Sequence, residues 1–142
     1  MTLKKHGRLR GCIGDILPRV PLAQSVINNA IHAAMHDSRF DPVTPSEVQD
    51  LHIDISALTI PRPVSSYQDI RIGTDGVILQ KGARSAVFLP QVAPEQGWDI
   101  VQTLTHLSLK AGLSSNAWQE NAEFLVFQAE VFGERPTGKE PE

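Results

Sequence analysis

The sequence predicts an α+β fold, a mainly antiparallel sheet with flanking helices. Three observations carry that reading. Leu51-His52-Ile53-Asp54-Ile55-Ser56 alternates strictly between apolar and polar, the pattern of a half-buried strand. Residues 21–36 repeat with the period of an amphipathic helix. Strands and helices do not follow each other in regular alternation, which argues against a parallel β-α-β sheet. A length of 142 residues suits one domain, and 41% apolar with 20% charged residues describes a globular chain. That domain is expected over residues 1–133, with a Pro/Gly/charge-rich flexible tail over 134–142.

Element by element, Leu3 to Ile13 reads as a β-hairpin. A three-residue loop Lys5-His6-Gly7 pairs Leu3 with Leu9 and gives Gly7 the left-handed position. A two-residue loop pairs Leu3 with Arg10 and mixes the faces. Pro21 suits the first turn of the helix that follows. On its wheel Leu22, Ala23, Val26, Ile27, Ala30, Ile31, Ala33 and Ala34 fill one half, so Ile27 is expected in the core. Gln24, Ser25, Asn28, Asn29, His32 and His36 fill the other half. Thr44-Pro45-Ser46-Glu47 is an N-cap, a first-turn proline and a capping-box glutamate opening a short helix. Pro61 and Pro63 end the strand begun at Leu51. Gly73-Thr74-Asp75-Gly76 is a turn before strands near Val77–Gln80 and Ser85–Leu89. Asp99 caps a helix to Ala111, with Lys110 in its last turn and Gly112 beyond its end. A final strand runs from Phe124 to Phe132.

The chemistry centres on Cys12, the single cysteine. Strand alternation places Leu9, Gly11 and Ile13 on one face and Arg8, Arg10 and Cys12 on the other. A bulge at Gly11 would flip that parity. Fixed positive charge beside a thiol favours the thiolate, so Cys12 is a candidate nucleophile or redox group. Gly11 and Gly14 remove bulk beside it and let a backbone or ligand approach. Gln91 sits in the apolar run Leu89–Val92, where a buried amide must be hydrogen-bonded to a loop or a ligand.

Other constellations point elsewhere. His32 and His36 have the i, i+4 spacing of helical metal sites, but they share the polar face and lack the HExxH glutamate, so no metal is expected. No phosphate-binding glycine loop and no CxxC pair is present, and no cofactor is expected. Net charge is −3. The basic hairpin has no interleaved aromatics, so nucleic acid is not the expected partner. No apolar run reaches the length of a membrane span, and no signal-peptide pattern is seen. A lone cysteine fits a reducing compartment, and the expected location is cytoplasmic.

Leu9-Arg10-Gly11-Cys12-Ile13-Gly14 is similar to the signature of the AMMECR family. Further segments agree in order: Asp37-Ser38-Arg39-Phe40, Ile53–Leu58, Phe88–Trp98, and Lys110-Ala111-Gly112-Leu113 followed by Trp118. The resemblance spans Leu3 to Glu134. It implies a protein A subunit of an AmmeMemoRadiSam-type system, acting with MEMO-type and radical S-adenosylmethionine partner proteins. It also implies that Asp37, Arg39 and Ser56 share a cleft with Cys12. Many relatives have a second cysteine where Ser108 stands. The family pattern carries a helix and the start of the first strand upstream. By that resemblance the chain is expected to be a fragment or a truncated product, with Met1–Leu3 short of part of its packing. Two functions from different classes follow: a partner subunit with an Arg/Cys cleft, or a thiol enzyme in its own right. No histidine is placed near Cys12 by the sequence, which favours the first.

Overall fold

β1 (Thr2–Lys5) and β2 (Arg8–Cys12) form the hairpin at the start of the computed structural model, which describes residues 1–134. The loop has two residues, not three. His6 (φ 50°) and Gly7 (φ 76°) both adopt positive φ, the signature of a type I′ turn, whose twist matches that of the strands. The expected mixing of faces does not follow, because the strands are bulged. Leu3 lies opposite Gly11 and Lys4 opposite Leu9, so Arg10 is the extra residue. Past the bulge the parity is reversed. Leu9 is 44% exposed, while Leu3 is buried.

The contacts gather into two compact units. One is Met1–Ala57 with the described residues from Glu130 on; the other is Leu58–Ala129. In the first, β1 also pairs antiparallel with β3 (Leu51–Leu58), and β8 (Ala129–Gly133) lies at the far edge, giving the order β2-β1-β3-β8. α1 (Leu22–Met35) packs on β1 and β2. Gly11 faces it so closely that a Cβ there would collide with the carbonyl oxygen of Ala33.

The docked side of α1 is not the side its periodicity suggests. Asn29 and Ala33 are buried, and Asn29 Nδ2 donates to Asp15 Oδ2 (3.0 Å) and Ser25 Oγ (3.1 Å). Leu22, Ile27 and Ile31, expected in the core, are each more than half exposed. A strand carrying glycine accepts only small side chains at close range, so the alanine edge of the apolar half docks and its bulky edge stays outside. Ile27→Asp is therefore expected to cost less than about 0.5 kcal/mol in urea unfolding of dilute protein. A cost of several kcal/mol would return Ile27 to a core.

Thr44 and Glu47 form the expected capping box, on a short 3-10 helix at Pro45–Asp50. In the second unit β4 (Arg62–Val64), β7 (Glu123–Phe127), β5 (Gly76–Lys81) and β6 (Arg84–Phe88) form a sheet in that order. Pro63 is tolerated because β4 is an edge strand. A short helix that the sequence did not suggest, α2 (Val92–Gln96), precedes α3 (Ile100–Lys110). α3 has the expected Asp99 cap, with Asp99 Oδ1 accepting from Gln102 N at 2.8 Å, and Gly112 follows it at φ 75°. Val77, Leu79, Leu104, Leu107, Phe124 and Val126 make the core of this unit, and Ser108 is fully buried in α3. The strand expected over Phe124–Phe132 is broken at Gln128, whose backbone N–H donates to Thr59 Oγ1 (2.8 Å). Glu134, placed at the head of the expected tail, is bonded to both backbone groups of Ile53. The rest of that tail lies outside the described residues.

Candidate functional site

β2 is an edge strand, so the outward N–H of Cys12 needs a partner that no neighbouring strand supplies. Asp37, just beyond the end of α1, provides it. Its Oδ2 accepts from Cys12 N at 2.9 Å and from Arg39 Nη2 at 2.7 Å. Its Oδ1 accepts from Arg39 N (3.1 Å) and Arg39 Nε (3.0 Å). Four donors on one buried carboxylate, led by the guanidinium, hold Asp37 well below the usual carboxylate range. Arg39 Nη2 also donates to the carbonyl oxygen of Cys12 (3.3 Å). Asp37 raises the Arg39 pKa most, and Cys12 adds to it. The Arg39 side chain is still 55% exposed. The implied grouping of Cys12, Asp37 and Arg39 is therefore present in this unit.

The charge beside the thiol is thus Arg39, and the expected partnership of Cys12 with Arg8 and Arg10 does not form. Arg10 is the bulged residue and turns to Glu47 instead. Its Nε and Nη2 donate to the two carboxylate oxygens at 3.2 and 3.1 Å, and its Nη1 donates to Asp41 O at 2.8 Å. Lys5 Nζ adds a second cation, 2.9 Å from Glu47 Oε1. Arg10, then the Thr44 amide and Lys5, hold Glu47 far below its ordinary pKa, and Glu47 holds Arg10 above its own. This is a clamp on the hairpin. Arg8 is exposed beside the turn.

Thr2 lies opposite Cys12 on one side and Asp54 on the other, so the three share one face of the sheet. Thr2 Oγ1 is 3.4 Å from Cys12 Sγ. Asp54 takes Lys4 Nζ at 2.8 Å and His52 Nε2 at 3.2 Å; Lys4 is the first cause of its lowered pKa. Ser56 is half-buried two residues further along β3. Thr2 was not legible as the neighbour of Cys12, because that register depends on the bulge, while Lys4 reaches the row through the unshifted pairing of β1 with β3. Gly11 lies under α1 and Gly14 is exposed, with only Met1 N near a Cβ built there. Gln91 belongs to the second unit, half-buried at the N-cap of α2. A groove of about 600 Å³ in that unit runs past Val64, Tyr67, Trp118 and Phe124, and none of the expected site residues lines it. Among the described residues no cluster of three His, Cys, Asp or Glu could hold a metal, and no helix is long and apolar enough to cross a membrane. His32, exposed on α1, and His36, exposed just past its end, meet edge to face with centroids 5.7 Å apart.

These pairs set an acid limit. Asp37, Glu47, Asp54 and, in the second unit, Asp75 all have folded pKa values below their ordinary ones. Depressed carboxylates stabilise the fold fully above their unfolded values and lose that stabilisation as pH falls towards the folded ones. Stability is expected to be level above about pH 5 and to fall progressively below about pH 4. Urea midpoints across that range check it, and a midpoint unchanged down to about pH 2 would contradict it.

The model of the AMMECR1 family matches residues 1–132. Protein MK0488 of Methanopyrus kandleri is 43% identical over 152 residues, covering all of this chain and 72% of its own length. A protein of Methanosarcina acetivorans is 40% identical over 147 residues, with the same shares. The crystal structure of uncharacterized protein PH0010 from Pyrococcus horikoshii superposes with a TM-score of 0.87 at 37% identity, over 94% of this chain and 71% of that one.

Proposed function

Since this chain belongs to the AMMECR1 family, we propose that it is the protein A subunit of an AmmeMemoRadiSam-type system. It acts in the cytoplasm with a MEMO-type protein and a radical S-adenosylmethionine protein. The Arg39–Cys12 edge receives an anionic group, carboxylate or phosphate, from a partner or from the substrate they share. One observation carries this reading: Asp37 fixes one side of the Arg39 guanidinium and leaves the rest exposed beside the thiol. A fixed guanidinium loses little entropy when it takes a planar anion.

A second reading makes Cys12 the nucleophile of a thiol enzyme. Thr2 Oγ1, 3.4 Å from Sγ, and the adjoining Arg39 favour it. Among the described residues no base is hydrogen-bonded to the thiol, and His52 is bonded to Asp54. Two variants separate the readings in calorimetric titration against the purified MEMO-type partner. Arg39→Ala is expected to weaken binding at least about tenfold, the loss of one charge-assisted hydrogen bond. Cys12→Ser is expected to bind nearly as well as the parent. Binding unaffected by Arg39→Ala would defeat the partner reading. Turnover by the chain alone that vanishes in Cys12→Ser would establish the enzyme.

A further inference from the structure

The second unit begins at Leu58 and ends at Ala129. One residue in from each end, Thr59 and Gln128 are tied to each other. Thr59 N donates to Gln128 O (2.9 Å), and Gln128 N donates back to Thr59 Oγ1 (2.8 Å). The Gln128 side chain anchors the pair inward, its Nε2 donating to Asp75 Oδ1 at 2.8 Å. The Asp75 side chain is fully buried, and its Oδ2 accepts from Arg71 N (2.9 Å). Next to Gln128, Phe127 is fully buried with its ring packed on Gly76, where a Cβ would collide with it. The chain therefore enters and leaves this unit through one bonded pair, fixed to a buried carboxylate.

We propose that this clasp is a stop to unfolding: the first unit, which carries Cys12, Asp37 and Arg39, opens separately while the second stays folded. Chain connectivity gives the direction. The first unit is built from two stretches of chain that are joined only through the second. The second is one stretch, and its own ends are already tied by Thr59 and Gln128. Opening of the first unit frees β3 and β8 up to the clasp and breaks no bond of the clasp itself. Fraying past that point takes the Gln128 amide away from Asp75 and leaves a buried carboxylate short of a donor, which is a costly step. Segments that bind ligands or move are drawn from regions that open separately in this way. The clasp thus lets the Cys12–Arg39 edge loosen and reform on a second unit that does not melt with it.

Native-state hydrogen exchange of the whole chain in low urea tests this. The slowest amides of α1 are expected to be less protected than those of α3, and their protection is expected to fall less steeply with urea, because their opening exposes only part of the chain. The Thr59 and Gln128 amides are expected to be better protected than the α1 group. Gln128→Ala removes the anchor on Asp75. Both clasp amides are then expected to exchange at least about tenfold faster and to fall to the α1 level, the loss of one hydrogen bond to a charged group. The α1 amides are expected to keep their parent rates, because the clasp is intact before and after the first unit opens. Thr59→Val, at an exposed position, removes the acceptor of the Gln128 amide and is expected to move the same two amides in the same direction. Equal protection and equal urea dependence of α1 and α3 in the parent would overturn the proposal. So would clasp amides that already exchange with α1 in the parent, or that do not move in either variant.

Discussion

Gly11→Ala is expected to destabilise the first unit by about 3 kcal/mol, the upper part of the usual range for forcing extra volume into a packed site. A Cβ there collides with the Ala33 carbonyl, and its carbon is also too near. Both atoms are backbone, so no side chain can swing aside. α1 itself would have to lift from β2, taking Ala33, the most buried of the unit's described side chains, with it. At this chain length the loss corresponds to roughly 10 °C in Tm. Gly14→Ala is the control. Its Cβ would meet only Met1 N, at the ordinary contact distance of 4.0 Å, so its melt is expected to match the parent's. Equal melting of both variants would mean that Gly11 is not a close-approach glycine.

Asp37→Asn is expected to dismantle the site while leaving the second unit folded. The carboxylate accepts four hydrogen bonds, from Cys12 N and from three donors of Arg39. An amide of the same size can accept with only one of its two heavy atoms and turns an N–H₂ towards the remaining donors. Arg39 loses its anchor, and the edge of β2 loses its cap. Partner binding is expected to fall at least about tenfold, matching Arg39→Ala, because both changes remove the same fixed guanidinium. Amide hydrogen exchange supplies a readout independent of any partner. The Cys12 N–H is expected to exchange far faster in Asp37→Asn, while amides of α3 keep their protection. A Cys12 amide that stays protected would show that the carboxylate does not hold it.

The fold was legible wherever its signals are local. Asp99 with Gln102, Thr44 with Glu47 and the alternation of residues 51–56 each act within a few residues, and each element formed where its signal lies. Signals that depend on distant partners were not legible. Arg10 belongs beside Cys12 only in a regular strand; its partner Glu47 is 37 residues away, and nothing local announces the pairing. Periodicity found the apolar half of α1 but could not choose between its bulky and small edges. That choice is made by Gly11 on another element. Asp37 and Arg39 are two residues apart at a helix end, where charge alone reads as dipole compensation. Only the resemblance placed them near Cys12.

The break at Gln128 has a consequence for the order of folding. The second unit is one continuous stretch, so all its strand pairings become available as soon as Ala129 has been made. The first is discontinuous. One of its two edge strands, β8, emerges from the ribosome after the whole of the second unit, and the bond from Ile53 N to Glu134 closes across 81 residues. Contacts at such separation are costly in chain entropy and form slowly. During synthesis β3 therefore waits with a bare edge until β8 arrives, and a nascent chain stalled before residue 129 would hold a completed second unit beside an unfinished sheet.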